Sequence, residues 1–224
     1  MAQVADLMKS GKEILIVSSG AIGCGMKTLG IKRKPKELKM LQACAAVGQG
    51  KLMKAYEDLF SEFRFHTGQV LLTRDAFDDR VRSSNIRNTF GELIRLKTIP
   101  IINENDTVST EEIRFGDNDS LSAFVAEIVN ADLLIILSDV DGLYASDTRE
   151  VISEVNGAEA VDELFKHIFP HKKSIVTAGG MRSKLEVAKR AMKNGISMIV
   201  MNGKTKNGLA RLAEGEALGT VFIA

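Results

Sequence analysis

Four small or polar clusters restrict what this chain can fold into more than any other feature. They are Ser18-Ser19-Gly20-Ala21, Asn103-Glu104-Asn105-Asp106, Ser138-Asp139-Val140-Asp141-Gly142 and Ala178-Gly179-Gly180-Met181. The first three end the short apolar runs 13–17, 99–102 and 133–137, whose length and β-branched character suit buried strands. The fourth opens a helix. Helical periodicity fills the intervals: 2–10 with Gly11 as its stop, about 35–63 with a kink or break at Gly48-Gln49-Gly50, 84–96, 120–129, 158–166, 182–193 and 209–213. Further strands fit at 69–73, 197–201 and 219–223, and a small hairpin fits 107–115. Strand alternating with helix predicts an α/β fold, a three-layer αβα sandwich with a mostly parallel central sheet. No repeat or linker divides residues 1–224, which predicts one domain. In an open sheet of this kind the strand exits share one edge, and ligands bind there.

Composition excludes several classes. With 45% hydrophobic and 26% charged residues in 224, the chain is ordinary globular material. A formal charge of +1 gives no electrostatic case for nucleic acid or an anionic membrane. No apolar run is long enough to span a bilayer, and no signal-peptide pattern is present. The two cysteines, Cys24 and Cys44, match no metal spacing and fit small apolar packing in a reducing, cytoplasmic setting. The three histidines, His66, His167 and His171, accompany no nucleophile signature, and no metal-ligand set is legible.

The stretch 99–130 concentrates the chemistry. Twelve residues beyond Asp106 stands Asn118, inside Gly116-Asp117-Asn118-Asp119, which runs into a helix with Leu121, Phe124, Val125 and Ile128 on its apolar face. Two Asn/Asp clusters, one at a strand exit and one at a helix start, suit a grip on one small polar molecule. The plainer alternative is that these are turn and N-cap residues. At the fourth cluster, two glycines let backbone N–H groups turn toward an anion, and Lys184 in the first turn of the following helix opposes the macrodipole unless an anion binds there. The plainer alternative is a turn with a solvated lysine. No P-loop and no full dinucleotide fingerprint is present.

These residues carry a resemblance. Ser18-Ser19-Gly20-Ala21, Ala45-Ala46-Val47-Gly48-Gln49, Asn103-Glu104-Asn105-Asp106, Gly116-Asp117-Asn118-Asp119, Leu137-Ser138-Asp139 with Gly142-Leu143-Tyr144, and Gly179-Gly180-Met181 with Lys184 resemble the glutamate 5-kinases of the amino-acid kinase family, over residues 17–222. The resemblance implies transfer of the ATP γ-phosphoryl group to the side-chain carboxylate of L-glutamate, the first step of proline biosynthesis. It implies Ser19, Asp106 and Asn118 as glutamate-binding residues. The nucleotide site would comprise Ser138, Asp139, Ala178, Gly179, Gly180, Met181, Arg182, Ser183 and Lys184. Lys184 and Asp119 would be catalytic, with Asp119 holding lysine and substrate in place. ATP with Mg²⁺ is the implied cofactor set, proline an implied feedback inhibitor, and a homo-oligomer the implied assembly.

The resemblance also implies a first strand ending in a Lys-x-Gly-Ser loop, whereas Met1 corresponds to the helix that follows it. That strand would be central and its lysine one of two cations on the phosphates; losing one such donor costs on the order of 10²–10³ in rate. A start placed too far downstream in a working enzyme is favoured over a natural short form, because a central strand is hard to spare. The short form would be a catalytically impaired or non-catalytic glutamate-binding subunit. Ala178 stands where the family has Thr, and the C-terminal RNA-binding-like (PUA) domain of some members has no counterpart.

Overall fold

The computed structural model describes residues 1–109, 117–145, 150–168 and 179–224. Contacts divide the chain into two units, Met1–Leu121 and Ser122–Ala224. The first holds α1 (Ala2–Lys9), β1 (Ile16–Val17), α2 (Ala21–Thr28), α3 (Leu38–Ser61), β2 (His66–Leu72), α4 (Asp75–Asp78), α5 (Arg80–Arg95), β3 (Thr98–Glu104) and the start of α6 (Asn118–Val129). The second holds the rest of α6, then β4 (Leu133–Ser138), β5 (Glu154–Asn156), α7 (Ala158–Ile168), α8 (Gly179–Lys193), β6 (Ser197–Asn202), α9 (Gly208–Ala213) and β7 (Thr220–Ile223).

In the first unit, β3 lies between β1 and β2 and is parallel to both, with Ile16 opposite Ile101 and Leu72 opposite Glu104. Central placement explains the Ile-Pro-Ile-Ile run: Ile99, Ile101 and Ile102 are fully buried, each burial worth roughly 1.5–3 kcal/mol. The strand expected over 13–17 shortens to Ile16–Val17 because β1 is an edge strand, paired only where β3 presents Ile101 and Ile102. Helix α2 was not legible, since Gly23 and Gly25 lower its propensity. Gly25 has a packing reason: a Cβ there would stand 1.8 Å from the Cys44 carbonyl oxygen. Gly48 answers it, since its Cβ would stand 1.8 Å from the Ala21 carbonyl oxygen. Expected with Gln49 and Gly50 to mark a kink or a break into two helices, Gly48 instead lies within one continuous 24-residue α3 and marks where α2 and α3 touch backbone to backbone.

Helix α5 starts four residues before the expected position because Asp79 caps it, accepting from the backbone N–H of Val81 (2.8 Å) and Arg82 (3.0 Å). The Arg82 N–H, and then that of Val81, hold the Asp79 carboxyl below the usual carboxylate range. A depressed folded-state pKa stabilises above the unfolded value, near 4, and that contribution disappears as pH falls through the folded value. Hydrogen exchange in the first turn of α5 should therefore quicken between neutral pH and pH 3, after correction for intrinsic rates. Asp79→Asn, which keeps an acceptor that does not titrate, should flatten this dependence.

In the second unit the strand order is β4-β6-β7-β5, with β6–β7 antiparallel and the other pairings parallel. Four of the five described pairings in the chain are thus parallel, as expected of the α/β class. The single central sheet expected from the strand pattern is described as two sheets, with β1 and β4 each at an edge. The fully apolar strand expected over 133–137 forms as β4, and its edge placement leaves Leu133 43% and Leu137 54% exposed. The core gathers Val161, Leu185, Ala188, Met198, Val200 and Phe222. Arg190 ties α8 to α6 by donating to Glu127 (2.6 and 3.0 Å) while its guanidinium lies 3.6 Å from the Phe124 ring centroid. No helix among the described residues is long and apolar enough to cross a membrane. The hairpin expected at 107–115 falls mostly outside the described residues; 107 and 108 form a turn after β3.

Candidate active site

The carboxyl edge of the three-stranded sheet gathers the first group of expected residues. Beyond β1, the Ser18 N–H donates to the Ile102 carbonyl (2.7 Å); beyond β3, the Asn105 N–H donates to the Leu72 carbonyl (2.7 Å). The exits of all three strands therefore lie side by side. Gly20, with φ of 101°, is in the left-handed region that only glycine enters without strain, and it turns the chain from Ser19 into α2. Ser19 is exposed, Ser18 buried, and Asp106 half-buried in the turn after β3. At the start of α6, Asp117 caps by accepting from the Ser120 N–H (2.9 Å). That places Asn118 so that its Nδ2 donates both to the Ser18 carbonyl and to Asn103 Oδ1 (2.9 Å). The two Asn/Asp clusters thus meet at the exits of β1 and β3. Asp117 keeps the cap role of the plainer alternative, while Asn118 and Asn103 bridge the two clusters.

Helix α3 supplies the supports, which the sequence reading gave no role. Gln42, Gln49 and Tyr56 recur every seven residues and so share one face of the helix. Gln42 Nε2 donates to the Ser109 carbonyl (3.2 Å). Gln49 Oε1 accepts from Asn103 Nδ2 (2.9 Å). The Tyr56 hydroxyl bonds the Ser18 hydroxyl (2.9 Å) and its ring stacks on Phe60, centroids 6.5 Å apart. The seven-residue spacing of three polar residues on a helix with a buried apolar face was the available signal. Tyr56→Phe should lower the unfolding free energy by about 1 kcal/mol, the worth of one hydrogen bond, as a urea midpoint shift without a change in slope.

The second group stands on the four-stranded sheet. Ser138 ends β4, and its carbonyl accepts from the Gly203 N–H (2.8 Å), which joins this exit to that of β6. Asn202, at the end of β6, donates from Nδ2 to Asp141 Oδ1 (2.8 Å) and caps the Lys204 N–H with Oδ1 (2.9 Å). Asp139 is exposed, with Ser138 Oγ 3.4 Å from its Oδ1. Asn202 and Lys204 are absent from the sequence expectation, although Met201-Asn202-Gly203-Lys204 is the same passage from apolar strand to polar exit as the clusters after β1, β3 and β4.

Helix α8 begins at Gly179, earlier than the expected 182, so Gly179 to Ser183 are helical and Lys184 lies in the second turn. The dipole argument for Lys184 weakens accordingly, because that field falls off within one turn. Topology still places the head of α8 usefully. The helix spans about 22 Å and returns through a short turn into β6, about 20 Å long. Its first turn therefore comes level with the exits at Asn202 and Ser138. A Cβ added to Gly180 would meet nothing within 4 Å, so the backbone there is open to approach. Lys184 and Ser183 are half-buried and engaged with neighbours, and Arg182 Nε pairs with Glu186 Oε1 (3.1 Å). Ala178 lies outside the described residues. Asp119 is half-buried in the first turn of α6. Among the described residues no group of three or more His, Cys, Asp or Glu is placed to hold a metal ion.

Comparison with known proteins identifies the family. The model of the amino acid kinase family matches residues 1–202, across both units. The chain is 45% identical over 224 residues to a glutamate 5-kinase of Thermoanaerobacter sp. (strain X514), covering 99% of this chain and 60% of that protein. It is 47% identical to the Paraburkholderia phymatum glutamate 5-kinase, covering all of this chain and 60% of that one. With the Clostridium tetani glutamate 5-kinase it shares 45% identity over 99% of this chain and 84% of the relative. The chain thus spans about 60% of the length of most of these curated relatives. Among solved structures, a carbamate kinase from Giardia superposes with a TM-score of 0.65 at 19% identity, covering 99% of this chain and 87% of that one. An isopentenyl phosphate kinase from T. acidophilum gives 0.59 at 14% identity, covering 99% and 90%. From its matched family model, its identity to these kinases and its mostly parallel α/β architecture, the chain belongs to the amino acid kinase family.

Proposed function

We propose that this chain carries the machinery for ATP-dependent phosphorylation of the side-chain carboxylate of L-glutamate, giving L-glutamyl 5-phosphate for proline biosynthesis. The observation that supports the reading is Asn118 folding back onto Ser18 and Asn103, 100 and 15 residues away in sequence, which are near neighbours in the chain of the expected Ser19 and Asp106. The 45% identity to glutamate 5-kinases supports the choice of amino acid. The first unit would take the amino acid through Ser19, Asp106 and Asn118. The second would take the nucleotide through Ser138, Asp139 and the 178–184 segment.

The nucleophile needs no general base, because a carboxylate is ionised at neutral pH. One of its oxygens attacks the γ-phosphorus, the bond to the β,γ-bridging oxygen breaks, and ADP leaves with that electron pair. The protein must align two anions and offset the charge spread over the transferring group. Lys184 is the cation for that task, and Asp119 an orienting carboxylate. Mg²⁺ would accompany ATP and would supply further neutralisation of its phosphate charge. The same family reading proposes a cytoplasmic homo-oligomer restrained by proline.

Incubation of the chain with ATP, Mg²⁺ and L-glutamate should release ADP, and added hydroxylamine should capture the acyl phosphate as a hydroxamate. ADP release driven by a nucleoside monophosphate and indifferent to glutamate would overturn the reading.

A further inference from the structure

We infer that a one-way relay of side-chain amides, Gln69–Gln49–Asn103–Asn118, fixes Asn118 as a hydrogen-bond acceptor toward the ligand, so that its Oδ1 receives the ammonium of the amino acid and Gln49 is the positioning residue that holds Asn103 in the relay. The inference rests on the amino acid reading above and adds to it which group of the substrate Asn118 meets.

An amide can present either its oxygen or its nitrogen to a neighbour, so its direction must be settled by partners that cannot themselves reverse. Two backbone groups do so here. The Ser18 carbonyl can only accept, so the group of Asn118 facing it is Nδ2. The Glu104 N–H can only donate, so the group of Asn103 facing it at 2.9 Å is Oδ1. Asn103 Oδ1 also accepts the second proton of Asn118 Nδ2 at 2.9 Å. Asn103 Nδ2 must then point away, and it donates to Gln49 Oε1 at 2.9 Å. Gln49 Nε2 in turn donates to Gln69 Oε1 at 3.2 Å. Each amide gives its protons one way and offers its oxygen the other, an arrangement in which successive bonds strengthen one another.

The consequence falls on Asn118. Both of its N–H donors are consumed within the protein, and only Oδ1 is left for a ligand, with no hydrogen bond among the described residues. Asp106, at the same strand exit, is acceptor-only when ionised. A ligand that meets both offers donors, and on an α-amino dicarboxylic acid that group is the ammonium. Gln49 holds the pattern because Asn103 is 2% exposed. Without the Gln49 acceptor, buried Asn103 Nδ2 is orphaned, and the side chain must rotate to find another acceptor, taking Oδ1 away from Asn118.

Calorimetric titration with L-glutamate and with glutarate, which has both carboxylates and no amine, reads this polarity. The unsubstituted chain should favour glutamate by about 10- to 100-fold, the worth of hydrogen bonds to a charged group. Gln49→Met should cut that preference about 10-fold through weaker glutamate binding, while glutarate binds as well as before or better. Gln49→Glu, which keeps the acceptor for Asn103, should hold the ratio to within about 3-fold. Equal weakening of both acids by Gln49→Met, or no change in either, would overturn the inference while leaving the amino acid reading intact. Binding of neither acid to the unsubstituted chain would overturn both. A second measurement needs no variant: both side-chain amide protons of Asn118 should exchange with solvent far more slowly than those of exposed Asn88, and comparable rates would overturn the relay.

Discussion

Replacing Lys184 by methionine should lower the glutamate-dependent rate of ADP formation by about 10²–10³, the usual cost of one preorganised charge-stabilising donor. Methionine keeps an unbranched apolar stem of similar length and removes only the ammonium, so the packing of half-buried residue 184 beside Leu185 is disturbed little. The loss should appear in kcat, with KM for glutamate unchanged within about threefold, because an interaction made mainly with the transition state does not alter ground-state binding. Arginine at 184 should not restore the rate, since its planar fork places charge differently from a compact ammonium. Initial rates at saturating ATP, with circular dichroism to show an unchanged fold, make the measurement. A Lys184→Met protein with full activity would remove Lys184 from the chemistry and move the search for the cation to the exposed Lys204 at the exit of β6.

The residues that were legible in the sequence share a physical cause. A buried parallel strand is a short apolar run, and its exit into solvent is polar, so Ile99–Ile102 followed by Asn103 declared both the strand and the edge onto which Asn118 folds. What was not legible depends on pairing. Leu133 to Leu137 reads as a buried strand because nothing in an apolar run tells a central strand from an edge. Helix α2 was hidden because Gly25 serves the approach of α3 rather than the propensity of its own helix. Gln49 and Tyr56 show the same limit. Periodicity puts them on one face of α3, yet only the register of that helix over the strand exits shows that one meets Asn103 and the other Ser18.

Replacing Gly48 by alanine should destabilise the protein by about 3 kcal/mol or more, lowering Tm by roughly 6–12 °C, at the upper end of overpacking effects. The added methyl carbon would stand 1.8 Å from the Ala21 carbonyl oxygen and 2.4 Å from the Gly25 nitrogen, both backbone atoms that a rotamer change cannot move. Relief requires α2 and α3 to separate, and the buried packing of Ala21, Cys44 and Ala45 would open with them. Gly50, two residues along the same helix, is the internal control. A Cβ there meets nothing within 4 Å, so Gly50→Ala should stabilise by about 0.5–1 kcal/mol through lost unfolded-state freedom. Urea unfolding of the two variants should therefore move the midpoint in opposite directions. The Gly48 variant should also bind glutamate more weakly in conditions where it remains folded. Displacing α3 carries Gln49 and Tyr56 away from Asn103 and Ser18, and so loosens from behind the edge on which Asn118 is held.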